Sequence, residues 1–527
     1  MRRLEVRSLW TGWAAVLAAC GLAACGGGGS GGPTEAAASA EAAYSEQVRA
    51  DIASAEKRAC PHVGPRDDRA EASGLAWTRC PEEARPHDER VFTVNEAALP
   101  FDALPGATVE TDRWWGVLGK AGYRVEVPKQ WNGMLVMYAH GYAGTGPTLG
   151  VSNPSIRRHL IEQGYAWAAS SYSANYYDVR AGVEDTNALA LAFRDIAKAN
   201  GRPLPKPRKT YIIGHSMGGH IAGAAVELET LITARHKVRY DGAVPMCGVM
   251  GDTELFDYFV AYQLAAQQLA GFPATSFPDT GWATVAPQVR AALFSTFATV
   301  PTAQGLKLKA VVENLTGGDR PIFDQGFANT ALQNVVWGTF GGDGTINGIL
   351  TRNVTDTRGI VYQFDADPAL SAEEAAFNAS ILRVRADPLA NRLRWDGLRW
   401  IPKVNGFFRV PVVSIHTLGD MYVPFHMQQI YRERAERHGS DRWLVQRAIR
   451  APSHCDFTIA EQVAAFEAMA QWEQRGVKPQ GDDVLDRARV ADPAYGCRFT
   501  QNAATTPEDN PVTIATRALM PACPAGG

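Results

Sequence analysis

The sequence has no excess of charge of either sign and no long basic run. Lys and Arg number 52 against 55 Asp and Glu, which gives a formal net charge of −3. Nucleic-acid-binding proteins carry a basic patch or stripe, so this balance argues against a nucleic-acid partner. Beyond the N-terminus, no apolar run approaches the ~20 residues that a membrane-spanning helix needs. Hydrophobic residues make up 46% of the chain, as in ordinary folded proteins.

Metal-binding patterns are also missing. The chain has 8 Cys and 11 His, but no C-x-x-C pair and no His cluster has the spacing of a zinc site. The absence of such spacing predicts no metal site, and we expect no organic cofactor. The sequence also shows no internal repeat.

The N-terminus carries an export signal. Three arginines lie in the first seven residues, and an apolar stretch follows from Leu9 to Ala24. Leu-Ala-Ala-Cys occurs at 17–20 and again at 22–25, and resembles the lipobox of bacterial lipoproteins. The second copy makes Cys25 the predicted lipid-bearing residue, with a Gly-rich tether after it. The alternative is an ordinary signal peptide cut near Ala24. We predict an exported protein, periplasmic or at the cell surface, held to a bacterial membrane by a lipid anchor.

Cysteine usage agrees with export. Removal of Cys20 and acylation of Cys25 leave six cysteines, an even number that favours disulfides in an oxidising compartment. The candidates are Cys60, Cys80, Cys247, Cys455, Cys497 and Cys523.

Short apolar strands alternate with helical stretches from about residue 113. Among them are expected strands at Met134–Ala139 and Gly242–Met246 and an expected helix at Asp185–Ala199. This alternation predicts an α/β protein with a mainly parallel sheet covered by helices on both faces. The alternation of strands and helices stops between 250 and 405. This stretch is too long for a plain connection, and we interpret it as an inserted cap. The predicted division is 1–24 signal peptide, 25–58 tether and N-terminal segment, 59–249 first part of the core, 250–405 cap, 406–480 second part of the core, and 481–527 C-terminal tail.

The pentapeptide Gly214-His215-Ser216-Met217-Gly218 matches G-x-S-x-G between a buried strand and a helix. A tight strand-to-helix turn of this kind exposes the serine Oγ for nucleophilic attack, and the glycines let neighbouring backbone approach. The motif in this setting resembles the nucleophile elbow of serine hydrolases with the α/β-hydrolase fold. The resemblance covers about residues 113 to 475, interrupted by the cap. It extends to bacterial exported hydrolases with a Cys beside the catalytic His.

The resemblance implies the chain order Ser, acid, His. Asp420 follows the expected strand Val410–His416 and is the predicted acid, with Asp252 and Asp257 as rivals after an earlier strand. His454 follows the last expected strand, in a loop that contains Pro452, and is the predicted base. The other histidines after Asp420 lie in helical stretches, at His426 and His438.

An early strand ends in Tyr138-Ala-His-Gly-Tyr142, which resembles the His-Gly oxyanion element of this fold. We expect the backbone N–H groups of Tyr142 and Met217 to form the oxyanion hole, with Gly141 as the alternative to Tyr142. The histidines around this site, His140, His215 and His220, are expected to pack or to support other groups, rather than bind metal.

The predicted function is that of an exported serine carboxylic-ester hydrolase acting on a small-molecule or oligomeric ester through an acyl-enzyme. An amidase or peptidase with the same triad is the first alternative. A catalytically silent hydrolase fold that serves as a binding protein is the second.

A disulfide between Cys247 and Cys455 is also predicted. Cys247 ends the expected strand after the nucleophile strand, and Cys455 directly follows His454. For His454 to reach Ser216, its loop must cross the top of the sheet, which brings Cys455 over Cys247 at a feasible Cα separation of ~5.5 Å. Two buried free thiols are the equally weighted alternative.

Overall fold

The computed structural model describes residues 42–52, 90–342, 349–394 and 396–524. The predicted signal peptide and the residues Cys25, Cys60 and Cys80 lie outside the described residues. The chain divides into two compact units, Met1–Gln47 and Val48–Gly527. Residues 42–52 form helix α1.

A central sheet of eight strands organises the second unit. The strands are β2 Thr111–Leu118, β3 Ala121–Pro128, β4 Met134–Ala139, β6 Ala166–Ser170, β7 Lys209–His215, β8 Gly242–Met246, β11 Val412–Thr417 and β12 Leu444–Ile449. Their order across the sheet is β12-β11-β8-β7-β4-β6-β3-β2. The strands β12, β11, β8, β7, β4 and β6 run parallel to one another, whereas β3 runs antiparallel to β6 and to the edge strand β2. Two small pairs lie outside this sheet: β1 Thr93–Val94 with β5 Thr148–Leu149, and β9 Phe294–Thr296 with β10 Val300–Pro301.

Helices cover both faces of the sheet, as the apolar strands require. Alternate residues of β4 divide between two apolar cores: Leu135 and Met137 pack in one, and Val136 and Tyr138 pack in the other. Side chains of successive strand residues point to opposite faces, so a strand that is apolar throughout must be covered twice. The first core contains residues of α3 Val179–Ala199, α4 Met217–Ala225 and α6 Glu254–Leu269, and the second contains residues of α2 Arg157–Glu162 and α13 Ile459–Arg475.

The predicted cap region contributes no strand to the eight-stranded sheet in residues 250–342, 349–394 and 396–405. Its helices are α6 Glu254–Leu269, α7 Trp282–Leu293, α8 Ala303–Leu315, α9 Phe323–Phe327, α10 Thr330–Trp337 and α11 Ala372–Ser380. They follow α5 Leu228–Thr233 and precede α12 His426–Arg437. The region shares one compact unit with the sheet, and the exact domain boundaries stay a prediction.

The C-terminal tail packs against the core. It contains α14 Arg487–Val490, α15 Pro511–Arg517 and a disulfide between Cys497 and Cys523. Arg517 is buried and pairs with the buried Glu461 of α13 at 2.8 Å. The two disulfides of the described residues fit an oxidising compartment. Nowhere in the described residues is a helix both long enough and apolar enough to cross a membrane.

Candidate active site

Ser216 occupies the turn between β7 and α4, with a φ of 56° and a ψ of −120°. A positive φ is costly for a residue with a Cβ, so the surroundings must hold it. The Ser216 N–H donates to the Met246 carbonyl at 3.0 Å, and the His220 N–H donates to the Ser216 carbonyl at 3.0 Å. A Cβ on Gly218 would lie 2.0 Å from the Ala139 carbonyl oxygen. The glycine in the motif is therefore required by the close approach of β4 to the elbow.

Three side chains from separate parts of the chain meet at this turn. The Ser216 hydroxyl donates to His454 Nε2 across 2.8 Å, and His454 Nδ1 donates to Asp420 Oδ2 across 2.6 Å. Asp420 is fully buried, while the His454 side chain is 18% exposed. The structure thus brings together the nucleophile, base and acid that were predicted from the sequence, in hydrogen-bond contact.

The second oxygen of Asp420 is held by backbone. Asp420 Oδ1 accepts from the N–H groups of Tyr422 at 2.9 Å and Val423 at 3.0 Å. Donors to an ionised carboxylate stabilise its charged form. This leaves Oδ2 for His454 and fixes the direction in which the carboxylate acts.

A neutral histidine lies beside the acid. His416 Nε2 donates to the Val423 carbonyl at 2.7 Å and is 4.0 Å from Asp420 Oδ2. Burial lowers the pKa of His416 to about 4, although the Asp420 charge opposes this shift. Gln428 Nε2 lies 3.2 Å from the other ring nitrogen. His416 and Gln428 were not predicted from the sequence as part of the site. The available signal was the position of His416 in the strand before Asp420.

The loop that carries His454 is fastened to the loop that carries Asp420. Thr417 Oγ1 donates to the Ser453 carbonyl at 2.8 Å, and the Gly419 N–H donates to the Ala451 carbonyl at 2.9 Å. The predicted disulfide between Cys247 and Cys455 is present, with a Cα separation of 5.2 Å. It ties the base loop to the end of β8.

The remaining histidines of the site are occupied with other groups. His215 lies 2.9 Å from Gln462 Oε1, and burial lowers its pKa to about 4. His140 stacks on Tyr172 with ring centroids 4.1 Å apart. His220 Nε2 donates to the Pro402 carbonyl at 2.7 Å. These contacts agree with the prediction that the three histidines pack or support other groups.

The rival acids have other partners. Asp252 pairs with Arg434 at 2.6 Å; burial raises its pKa, but Arg434 and neighbouring cations outweigh this and lower it to about 2. Asp257 accepts from the Asp356 N–H at 2.7 Å. Of the remaining candidate bases, His426 is the first residue of α12 and His438 is the residue after its last.

The expected oxyanion residues flank the nucleophile. Met217 is the first residue of α4, where unpaired backbone N–H groups favour negative charge. A methyl group on Gly141 would lie 3.4 Å from Ser216 Cβ and 4.0 Å from its Oγ. Tyr142 follows and is 36% exposed. The choice between the N–H groups of Gly141 and Tyr142 stays a prediction.

The sheet is parallel except at one edge. The serine elbow follows β7, the acid follows β11 and the histidine follows β12. The chain has an α/β-hydrolase fold. As this fold requires, all three residues lie at the carboxyl ends of parallel strands, where loops from different strands converge. The order of the three residues along the chain is also the order of this fold.

No known family model matches the chain. A stretch of 92 residues is 30% identical to an o-phthalyl amidase from Xanthobacter agilis, and spans 17% of this chain and 20% of that relative. Among solved structures, feruloyl esterase B from Aspergillus oryzae superposes with a TM-score of 0.41 at 16% identity, covering 71% of this chain and 82% of that one. An esterase from Pyrococcus furiosus gives a TM-score of 0.32 at 11% identity, covering 74% and 96%. An acylaminoacyl peptidase from Pyrococcus horikoshii also gives 0.32, at 8% identity, covering 72% and 43%.

A series of aromatic rings connects the cap region of this α/β-hydrolase to His454. Tyr422 meets the His454 ring edge-on at 5.4 Å, and Phe259 of α6 contacts Tyr422 at 5.7 Å. Phe256 contacts Phe259 at 6.2 Å and Tyr177 at 5.5 Å. Phe256 and Tyr422 keep part of their surface exposed. The sequence did not show which aromatic residues of the cap region reach the site.

Proposed function

We propose that this protein is an exported serine hydrolase that cleaves a carboxylic ester. The observation that carries the proposal is the continuous hydrogen-bonded series from Ser216 Oγ through His454 to the buried Asp420. This series is the arrangement that turns a serine hydroxyl, a weak nucleophile by itself, into an effective one.

In the proposed reaction, Ser216 Oγ attacks the ester carbonyl while His454 Nε2 accepts its proton. Asp420 keeps the His454 proton on Nδ1 and stabilises the imidazolium that forms. Backbone N–H groups of Met217 and of Tyr142 or Gly141 stabilise the oxyanion, a contribution of about 3 to 4 kcal/mol per donor in comparable sites. His454 then protonates the leaving alcohol, and a water activated by His454 releases the acid from the acyl-enzyme.

The aromatic series beside His454 supports an ester with a flat aromatic group on its acyl or alcohol side. Rings such as Tyr422 and Phe256 stack on or meet an aromatic substrate edge-on, which adds about 0.5 to 1.5 kcal/mol per pair beyond area burial. The name of the relative with the 92-residue match, an o-phthalyl amidase, agrees with this choice.

Cleavage of an amide is the second candidate, because the 92-residue relative is an amidase. A p-nitrophenyl ester and a p-nitroanilide with the same aromatic acyl group separate the two. We expect kcat/KM for the ester to exceed that for the anilide by orders of magnitude. Equal values would favour the amidase.

Export is supported by the Arg-rich and apolar N-terminus and by the disulfides Cys247–Cys455 and Cys497–Cys523. The proposed lipid anchor rests on the sequence around Cys25 alone. Replacing Cys25 by Ser should abolish labelling of the expressed protein by a fatty-acid probe and release it from the membrane fraction. Retention of the label would place the lipid elsewhere.

Substitution of Ser216 by Ala tests the nucleophile. We expect the purified variant to stay folded, to lose ester hydrolysis, and to lose labelling by a fluorophosphonate probe. Ser295→Ala is the matched control, because Ser295 Oγ only donates to the Val300 carbonyl in the β9–β10 hairpin. Full turnover by Ser216→Ala would refute the proposal, and absent labelling of the parent would favour a silent binding protein.

A further inference from the structure

Three side chains with metal-binding atoms meet at the proposed general base. The sulfurs of Cys247 and Cys455 and a ring nitrogen of His454 all lie within 4.8 Å of one another. Cys455 Sγ is 3.4 Å from His454 Nε2, the same nitrogen that accepts from the Ser216 hydroxyl. In the oxidised protein the two sulfurs are bonded to each other, and it is the thiolate that binds metals.

We propose that reduction of the Cys247–Cys455 disulfide creates a site for a soft divalent cation such as Zn²⁺. A phosphine reductant and one water convert the disulfide into two thiols, and the phosphine takes up the oxygen as its oxide. Each thiol then loses its proton to solvent as it binds the cation. The ligands are the two thiolates and His454 Nε2, with a water in the fourth position.

The geometry suits such a cation. With Zn–S of ~2.3 Å and Zn–N of ~2.0 Å, tetrahedral ligands lie ~3.4 to 3.8 Å from each other. The observed 3.4 Å between Cys455 Sγ and His454 Nε2 already has this value. The two sulfurs, which are bonded to each other in the oxidised protein, must move apart. Side-chain rotation supplies this shift, because the three ligand atoms already lie within 4.8 Å of one another and the two Cα atoms are 5.2 Å apart. The backbone is fixed on both sides, since the Cys247 N–H donates to the Ile415 carbonyl at 2.9 Å and the Phe457 N–H donates to the Cys455 carbonyl at 2.9 Å.

The surroundings of His454 also suit a metal ligand. Its Nδ1 donates to Asp420 Oδ2 at 2.6 Å, so the electron pair of Nε2, which accepts from the Ser216 hydroxyl at 2.8 Å, is the one that a cation would take. Histidine ligands of zinc commonly donate their other ring N–H to a carboxylate, which orients the ring and raises its basicity. Asp420 would therefore serve the metal site in the way it serves the proposed triad.

Occupancy of this site has a consequence that rests on the proposed function. A cation on His454 Nε2 takes the electron pair that the Ser216 proton needs. The reduced enzyme should therefore lose ester hydrolysis when zinc binds, whereas the oxidised enzyme should not respond to zinc.

Cobalt binding by the full chain tests the site without using activity. The protein is reduced with a phosphine, freed of reductant under argon, and titrated with Co²⁺. We expect one Co²⁺ per chain, with the thiolate-to-cobalt charge-transfer absorption and the strong visible bands of tetrahedral coordination, and displacement by Zn²⁺. The unreduced protein should show none of these bands.

Two double variants separate this site from the other cysteines. Cys497→Ser with Cys523→Ser should keep the cobalt spectrum after reduction, and Cys247→Ser with Cys455→Ser should lose it. His454→Ala should weaken cobalt binding by about 100-fold or more, because it removes a direct ligand.

The outcomes distinguish the two proposals. Reduced parent protein that binds no Co²⁺, or the same spectrum in the Cys247/Cys455 variant, would overturn the metal site. Inhibition by micromolar Zn²⁺ that appears only after reduction and is reversed by EDTA would support both proposals. The expected cobalt spectrum without inhibition by Zn²⁺ would support the site and contradict the role of His454 as the base.

Discussion

Replacing Asp420 by Asn should inactivate the enzyme by changing the position of one proton. Asp420 Oδ1 accepts two backbone N–H bonds, from Tyr422 and Val423. In the variant, the amide oxygen must keep this place, because the amide NH₂ group would face two other donors there. The NH₂ group therefore faces His454 Nδ1, where the parent has Oδ2 at 2.6 Å.

This orientation sets the wrong tautomer of His454. The Asn NH₂ group donates to Nδ1, so the ring proton moves to Nε2 and faces the Ser216 hydroxyl. His454 then has no electron pair for the serine proton. A tautomer change of this kind costs about 10⁴ in kcat in serine proteases. We expect a loss of about 10³ to 10⁴, equivalent to about 4 to 5.5 kcal/mol in the activation barrier.

Steady-state hydrolysis of a p-nitrophenyl ester, together with thermal unfolding, measures this effect. Asp257→Asn is the matched control, since Asp257 follows an earlier strand and accepts from the Asp356 N–H. The control should keep near-parental kcat/KM. A folded Asp420→Asn variant within ten-fold of the parent, or an equal loss in Asp257→Asn, would show that Asp420 is not the acid of this site.

Two further predictions concern stability. A Cβ at Gly218 would lie 2.0 Å from the Ala139 carbonyl oxygen. Gly218→Ala should therefore lower the free energy of unfolding, measured in urea, by about 3 kcal/mol. Gly359→Ala is the control and should change this free energy little, because nothing lies within 4 Å of a Cβ at that position. Burial, with the Glu254 charge nearby, raises the pKa of Asp257 to about 8, so the parent loses stability as pH rises from about 4, where the unfolded carboxyl ionises, to about 8. Asp257→Asn removes this loss and should be more stable than the parent by up to about 5 kcal/mol at pH 8, with little difference at pH 4. Equal stability at pH 8 would contradict the raised pKa.

The strands were predictable because their signal is local. Met134–Ala139 and Gly242–Met246 have the same bounds in the sequence interpretation and in the structure. The helix expected at Asp185–Ala199 begins earlier, at Val179, and the side chain of Asp178 accepts from the Ala181 N–H at its start. Val179 and Val183 are four residues apart and both are buried, so the apolar spacing extends further towards the N-terminus than expected. An Asp before the helix was the available signal.

The sequence by itself determined the elbow and the order of the candidate residues. Two glycines and a serine between a β-rich run and a helix leave the backbone few alternatives, since the sterics of that turn are local. It could rank Asp420 above Asp252 and Asp257, but not exclude them, because spacing along a chain does not show which carboxylates already have partners.

The tertiary structure decided those questions. It brings Ser216 and His454, which are 238 residues apart, into hydrogen-bond contact, and it pairs Asp252 with Arg434 at 2.6 Å. It also joins Cys247 to Cys455 across 208 residues, where the sequence weighed a bond and two thiols equally. Contacts of this kind depend on how the loops after different strands close over one edge of the sheet, and that closure is fixed by the packing of the whole unit rather than by any local pattern.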